Sequence, residues 1–131
     1  MLGQFQHSSL RLEVEATQVA IADSLLRPDR IRQWLWTQRL PMGLPDYLFP
    51  GLEFASYVGP IEVRHSVTTV TPDGLFLSLS GGIDGVHQWH WGEGWVQSSL
   101  EGISLLPLNL GQTISLFSLR QFLDRRDNLA S

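Results

Sequence analysis

Gly111-Gln-Thr-Ile-Ser-Leu-Phe-Ser-Leu-Arg-Gln-Phe-Leu-Asp-Arg-Arg-Asp-Asn128 is the stretch on which the reading of the whole chain turns. Ile114, Leu116, Phe117, Leu119, Phe122 and Leu123 recur at the three- and four-residue spacing that gathers side chains into one wide helical stripe. Gln112, Gln121, Asp124 and Arg125 fall away from that stripe. Gly111 opens the run, and Arg125-Arg126 place positive charge near its end, where it suits the helix dipole. The spacing predicts a helix over Gln112–Asp127. Most of Leu52 to Leu106 reads as strand, and a sheet with one apolar face needs a cover. The expected architecture is α+β: a curved antiparallel sheet wrapped around the C-terminal helix.

Upstream, Ser9-Leu-Arg-Leu-Glu-Val-Glu-Ala16 alternates strictly, with Leu10, Leu12, Val14 and Ala16 on one face and charges on the other. That is a half-buried strand. The spacing turns helical over Gln18–Leu26, through Val19, Ala22, Leu25 and Leu26. Pro28 cannot continue that helix but suits the first position of a second one, Pro28–Trp36. Two short helices therefore follow the first strand. Arg39 to Gly51 is a proline-rich loop, yet an apolar one, carrying Leu40, Met42, Leu44, Tyr47, Leu48 and Phe49. Loops are ordinarily polar, so these groups are expected to cover the mouth of the interior or to meet a second copy or a protein partner.

Strands are expected at Leu52–Val58, Ile61–Thr71, from Leu75 to Leu79, Val86–Trp91 and Trp95–Leu106. In the second of these, Ile61, Val63, His65, Val67 and Thr69 share a face. Pro72-Asp73-Gly74 reads as a hairpin turn with Gly74 free to take positive φ. Gly81-Gly82 marks a bend, and Gly92-Glu93-Gly94 a further turn. His7 falls in an expected loose terminus, and Pro107 and Asn109 precede the last helix.

Composition narrows the function. The chain has 131 residues, 43% of them hydrophobic and 17% charged, with a formal charge of −4. Such a length is most simply one domain, 1–131, which buries roughly 65–70% of its unfolded surface, enough for a core and a modest pocket. The acidic balance weighs against nucleic acid, which needs a basic stripe. The absence of cysteine excludes disulfides, thiolate nucleophiles and cysteine-ligated metals. No signal peptide or apolar run long enough to span a bilayer is evident, so a soluble cytoplasmic protein is expected. All nine basic residues are arginine, scattered rather than clustered.

The order strand, two short helices, antiparallel meander, long helix resembles the helix-grip proteins of the START, polyketide cyclase and pollen-allergen superfamily, SRPBCC. Pro28-Asp29-Arg30 with Trp34 resembles the start and end of that group's second helix, and Trp91-Gly-Glu-Gly-Trp95 its last hairpin. The likeness runs from about Leu10 to Leu123. It implies an apolar cavity between sheet and helix that takes lipids, hormones, polyketides or other hydrophobic molecules. The oxygenase branch of that superfamily needs Cys/His cluster ligands, which this chain lacks.

Candidate site residues follow from alternation. Val63, His65, Val67, Leu77, Leu79, Trp89 and Trp91 are expected on one wall of a cavity, with Leu116 and Leu119 opposite. For Val86–Trp91 the alternative inward set is Val86, Gln88 and His90. Trp89, Trp91 and Trp95 suggest cross-strand aromatic packing. His87 and His90 are an odd spacing apart and cannot easily share a metal, so no metal site and no cofactor are expected. No nucleophile elbow, phosphate loop or dinucleotide fingerprint is present. The expected function is non-enzymatic binding or carriage of a small hydrophobic molecule, with no catalytic residue assigned. A cyclase-, aromatase- or hydrolase-like enzyme using His65 as acid–base, and a docking factor working through the Leu40–Phe49 loop, are the alternatives.

Overall fold

The computed structural model describes residues 3–130, with side chains described through residue 125. Nine elements follow in order: β1 (Gln4–Glu13), α1 (Gln18–Leu26), α2 (Pro28–Trp34), β2 (Glu53–Val58), β3 (Ile61–Thr71), β4 (Gly74–Gly81), β5 (Ile83–Gly92), β6 (Trp95–Ser104) and α3 (Leu108–Ala130). The strands form one antiparallel sheet in the order β1-β6-β5-β4-β3-β2. This is the expected helix-grip architecture, with the curved sheet on one side of α3 and the two short helices after the first strand.

Particular residues bend the sheet. The β3–β4 register shifts between Val67 and Thr69, which is a bulge. Gly85 and Gly102 face each other across β5 and β6, and a Cβ on either would collide with backbone, Glu101 O for the first and Asp84 O for the second. Only glycine permits that approach. At the β5–β6 turn, Gly94 has φ +78° and donates its N–H to Ala16 O, drawing the chain after β1 onto the hairpin.

The helices are placed by caps and a few polar anchors. Thr17 caps α1 by accepting the Ala20 N–H at 3.1 Å. Pro28 starts α2, and the Trp34 indole at its end donates to Ser24 O of α1 at 2.9 Å. Its ring meets the edge of Trp89 on β5 with centroids 6.2 Å apart. The inward line of α3 is Leu108, Gln112, Leu116, Leu119 and Leu123, all buried, with Phe122 beside them.

Several local expectations are corrected. β1 begins at Gln4, and His7 lies within it opposite Glu101. Helix α3 begins at Leu108, so Asn109 is helical; the Gln6 side chain on β1 accepts the Leu108 N–H at 3.0 Å and supplies the missing cap. Gln112 is 4% exposed, while Phe117, assigned to the apolar stripe, is 47% exposed. In α1 the buried residues are Ile21, Ser24 and Leu25, and Val19 faces outward. α2 stops at Trp34, leaving Trp36 exposed with its indole donating to Ser118 at 2.7 Å. Gly74 is not left-handed; its value is room, because a Cβ there would come within 3.1 Å of Thr71 Oγ1. Trp95 packs with neither Trp89 nor Trp91 but lies over Gly92, with the Arg11 guanidinium 4.3 Å from its ring centre.

Candidate functional site

Between the sheet, α2 and the first two turns of α3 lies a cavity of about 260 Å³. Its wall is dominated by leucines, including Leu25, Leu48, Leu75, Leu77, Leu79 and Leu100, with Trp34 and Trp89. Among the described residues, no charged side chain lines it. Pro107 and Leu110 line the cavity and are also solvent-exposed, so it reaches the surface where α3 begins.

Of the residues selected from alternation, Val63, His65, Leu77, Leu79 and Trp89 stand on the wall. Val67, Trp91, Leu116 and Leu119 share the inward faces but belong to the filled core. Alternation fixes the face of a sheet and not the depth along it. Trp91 is two residues nearer the hairpin end, where its indole donates to Pro72 O at 3.0 Å. On α3 the wall is made by Leu108, Gly111, Gln112, Ile114 and Ser115, one to two turns before the pair expected. The apolar loop divides: Leu40 and Leu48 line the cavity, whereas Met42, Tyr47 and Phe49 are exposed. Leu48 is held by its N–H donating to Leu26 O at 2.8 Å.

Two histidines supply the polar part. His65 on β3 pairs with Leu79 of β4, and His87 on β5 with Leu77, so both rings rise from the inward face, one on each side of β4. His65 stacks on Phe54 of β2, with centroids 4.8 Å apart and planes 9° off parallel. Its Nε2 lies 2.8 Å from Ser56 Oγ, and the Ser56 hydroxyl donates to Gln38 Oε1 at 3.0 Å. His87 Nε2 lies 2.9 Å from Ser98 Oγ. The Gln112 amide donates to Ser98 O at 2.7 Å, to Ser98 Oγ at 3.0 Å and to Ser8 O at 3.2 Å, while Gln112 Oε1 accepts from Ser8 Oγ at 2.6 Å.

Burial sets the electrostatics. Desolvation lowers the His65 pKa to about 4. His87 is lowered to about 3, chiefly by desolvation and further by the repulsion a charge on His65 would exert. Both imidazoles are neutral at pH 7.

Reasoning from the sequence missed His87, Ser98, Gln38 and Gln112 as site residues. His87 had a signal, since it shares the parity of Trp89. Gln112 had none, because a glutamine beside an apolar stripe reads as outward-facing. Among the described residues, no group of histidine and carboxylate side chains is gathered as metal ligands. Nor is any helix there long and apolar enough to cross a membrane.

No family model matches the sequence, and no curated protein matches it significantly. Solved structures do resemble it. Protein CV1439 from Chromobacterium violaceum superposes with a TM-score of 0.72 at 12% identity, over 89% of this chain and 96% of that one. DynU16, a protein of the dynemicin biosynthetic locus, gives 0.68 at 18% identity over 90% of this chain. This chain spans only 47% of DynU16. The Aha1 dimer from Colwellia psychrerythraea gives 0.63 at 16% identity, over 90% and 96% of the two chains. At these identities the likeness is one of fold.

Proposed function

We propose that the chain is a member of the SRPBCC superfamily that binds or carries a small hydrophobic molecule between its sheet and α3, without catalysis. The observation that carries this reading is the uncharged, leucine- and tryptophan-lined cavity containing two neutral imidazoles. Pockets for small ligands are mostly apolar with a few placed polar groups. Its size limits the occupant: a cavity of roughly 150 Å³ accepts benzene, so about 260 Å³ suits a compound of one or two rings. Likeness of fold to a protein from a biosynthetic locus is in keeping with small-molecule binding.

The enzymatic alternative gains less support. An acid–base histidine works best with a pKa near the operating pH, and His65 at about 4 is a weak base. Among the described residues, no carboxylate stands on the cavity wall beside it.

Native mass spectrometry of the purified protein tests the proposal. A bound organic molecule of one- or two-ring size is expected, and Leu79→Trp, which fills the cavity from β4, should release it. If the wild-type protein carries nothing and takes up none of a panel of such compounds, ligand binding is the wrong reading. Exposed Met42, Tyr47 and Phe49 would then favour docking on a second copy or another protein, which sedimentation at rising concentration would detect.

A further inference from the structure

Within the ligand-binding reading on which this inference rests, the two inward histidines differ in what they offer an occupant. The Ser56 hydroxyl gives its proton to Gln38 Oε1. Toward His65 it can only accept, so the His65 ring proton sits on Nε2. The other nitrogen, Nδ1, is buried without a partner and closed to any ligand. The polar atoms of His65 therefore serve the wall and not the occupant.

His87 is open. It stands on β5 between Leu77 of β4 and Leu100 of β6, and all three residues line the cavity. Strands flank its backbone on both sides, so the surface this half-buried residue keeps belongs to its inward ring. Nε2 is taken by Ser98 Oγ at 2.9 Å. Nδ1 has no hydrogen-bond partner among the described residues, yet it is not sealed as His65 Nδ1 is. An unsealed atom on that ring faces the cavity. Ser98 decides which nitrogen holds the proton. Its buried hydroxyl oxygen has two partners, Gln112 Nε2 and His87 Nε2. An amide nitrogen only donates, so the Ser98 proton goes to the Nε2 lone pair of His87. The ring proton of His87 is then on Nδ1, as a donor.

We infer that this cavity selects a neutral ring compound bearing a carbonyl oxygen, a ketone, ester or lactone, which accepts the His87 Nδ1–H. The ring body would lie among Leu77, Leu100 and Trp89, whose indole is centred 4.9 Å from the His87 ring. A hydrocarbon of the same shape would cover that N–H and leave it unpaired, which is costly. A carboxylate could accept the same bond but would lose its hydration without gaining a cation. His87 is neutral at pH 7, and among the described residues no arginine reaches the wall. Discrimination between compounds of one ring size therefore rests on a single uncharged acceptor, and a site built to hydrogen-bond a substrate group rejects the analogue lacking it.

The experiment compares 1-tetralone, tetralin and 1-naphthoate by calorimetric titration at pH 7. Tetralone and tetralin differ by a carbonyl in place of a methylene. Tetralone should bind roughly tenfold or more tightly than the other two, and His87→Phe should bring tetralone and tetralin within about threefold of each other. Independently, proton–nitrogen NMR of the wild-type protein should show the His87 proton on Nδ1. Tetralone should shift that signal downfield and tetralin should not. The NMR measurement stands even where the variant fails to fold. Equal binding of tetralone and tetralin would overturn carbonyl selection while leaving the apolar carrier intact, and so would tightest binding by naphthoate. Binding of none of the three would remove the carrier reading as well. A His87 proton found on Nε2, an Nδ1–H signal indifferent to tetralone, or a tetralone preference untouched in His87→Phe would overturn the role given to that ring.

Discussion

The Ser8 hydroxyl on β1 donates to Gln112 Oε1 on α3 at 2.6 Å inside the core, joining residues 104 positions apart. The same glutamine gives its amide protons to carbonyl oxygens of β1 and β6. One side chain therefore sets the height of the helix above two strands and holds the serine that backs His87.

Removing it strands several buried groups together. Each buried donor or acceptor left unpaired costs roughly 1–3 kcal/mol, so Gln112→Leu should destabilise by at least about 2 kcal/mol in urea denaturation despite its apolar shape. Ser9→Ala, which breaks the exposed 2.9 Å contact with Ser99, should change stability by less than about 0.5 kcal/mol. Similar losses for the two variants would mean that the buried network carries no special weight.

Leu119 is fully buried on α3, in the filled core beyond the cavity. Leu119→Ala should cost roughly 2–5 kcal/mol, as core truncations do. A loss below about half a kcal/mol on chemical denaturation would show that α3 does not pack as described.

Acid should weaken the fold through the histidines. In the unfolded chain each binds a proton below about pH 6.5, whereas in the folded protein His65 and His87 resist protonation down to about 4 and about 3. Because the neutral form is the one that fits, their contribution is whole above pH 6.5 and declines as pH falls toward those lower values. The decline approaches about 1.4 kcal/mol per pH unit for each histidine. Urea midpoints measured from pH 7.5 to 5 should fall accordingly, and His65→Phe should flatten the dependence. An unchanged slope would indicate that solvent reaches His65 freely.

Two glycine substitutions should act in opposite directions. Gly85→Ala drives a methyl into Glu101 O and should cost on the order of 3 kcal/mol, as tight overpacking does. Gly111 lies inside α3 with open space at its Cβ position. Gly111→Ala should therefore raise stability by about 0.5–1 kcal/mol, readable as a higher melting temperature, while narrowing the cavity.

Period-two and helical spacing were enough to order the elements and to put Val63, His65, Leu77 and Leu79 on the inward face. What they could not convey was distance along that face. Val67 and Trp91 have the right parity and the wrong position, and Leu116 and Leu119 lie too far down the helix. Polar residues brought together from distant segments were the least legible. Gln6 as the cap of α3, and Ser8 and Ser98 as partners of Gln112, depend on β1 lying beside β6. Nothing in the local pattern announces that adjacency.

That adjacency also governs the order in which the protein can assemble. β1 finds its sheet partner only in β6, with Gln4 opposite Ser104 and Glu13 opposite Trp95. The intervening strands join neighbours through short hairpins and can pair as they leave the ribosome. β1 is made first and must wait for the last strand, an interval on the order of ten seconds at usual elongation rates. Closing so long a loop before any contact rewards it slows folding. Throughout that interval Leu10 and Leu12 stay uncovered, and so does the Ser8 hydroxyl whose partner on α3 is made later still.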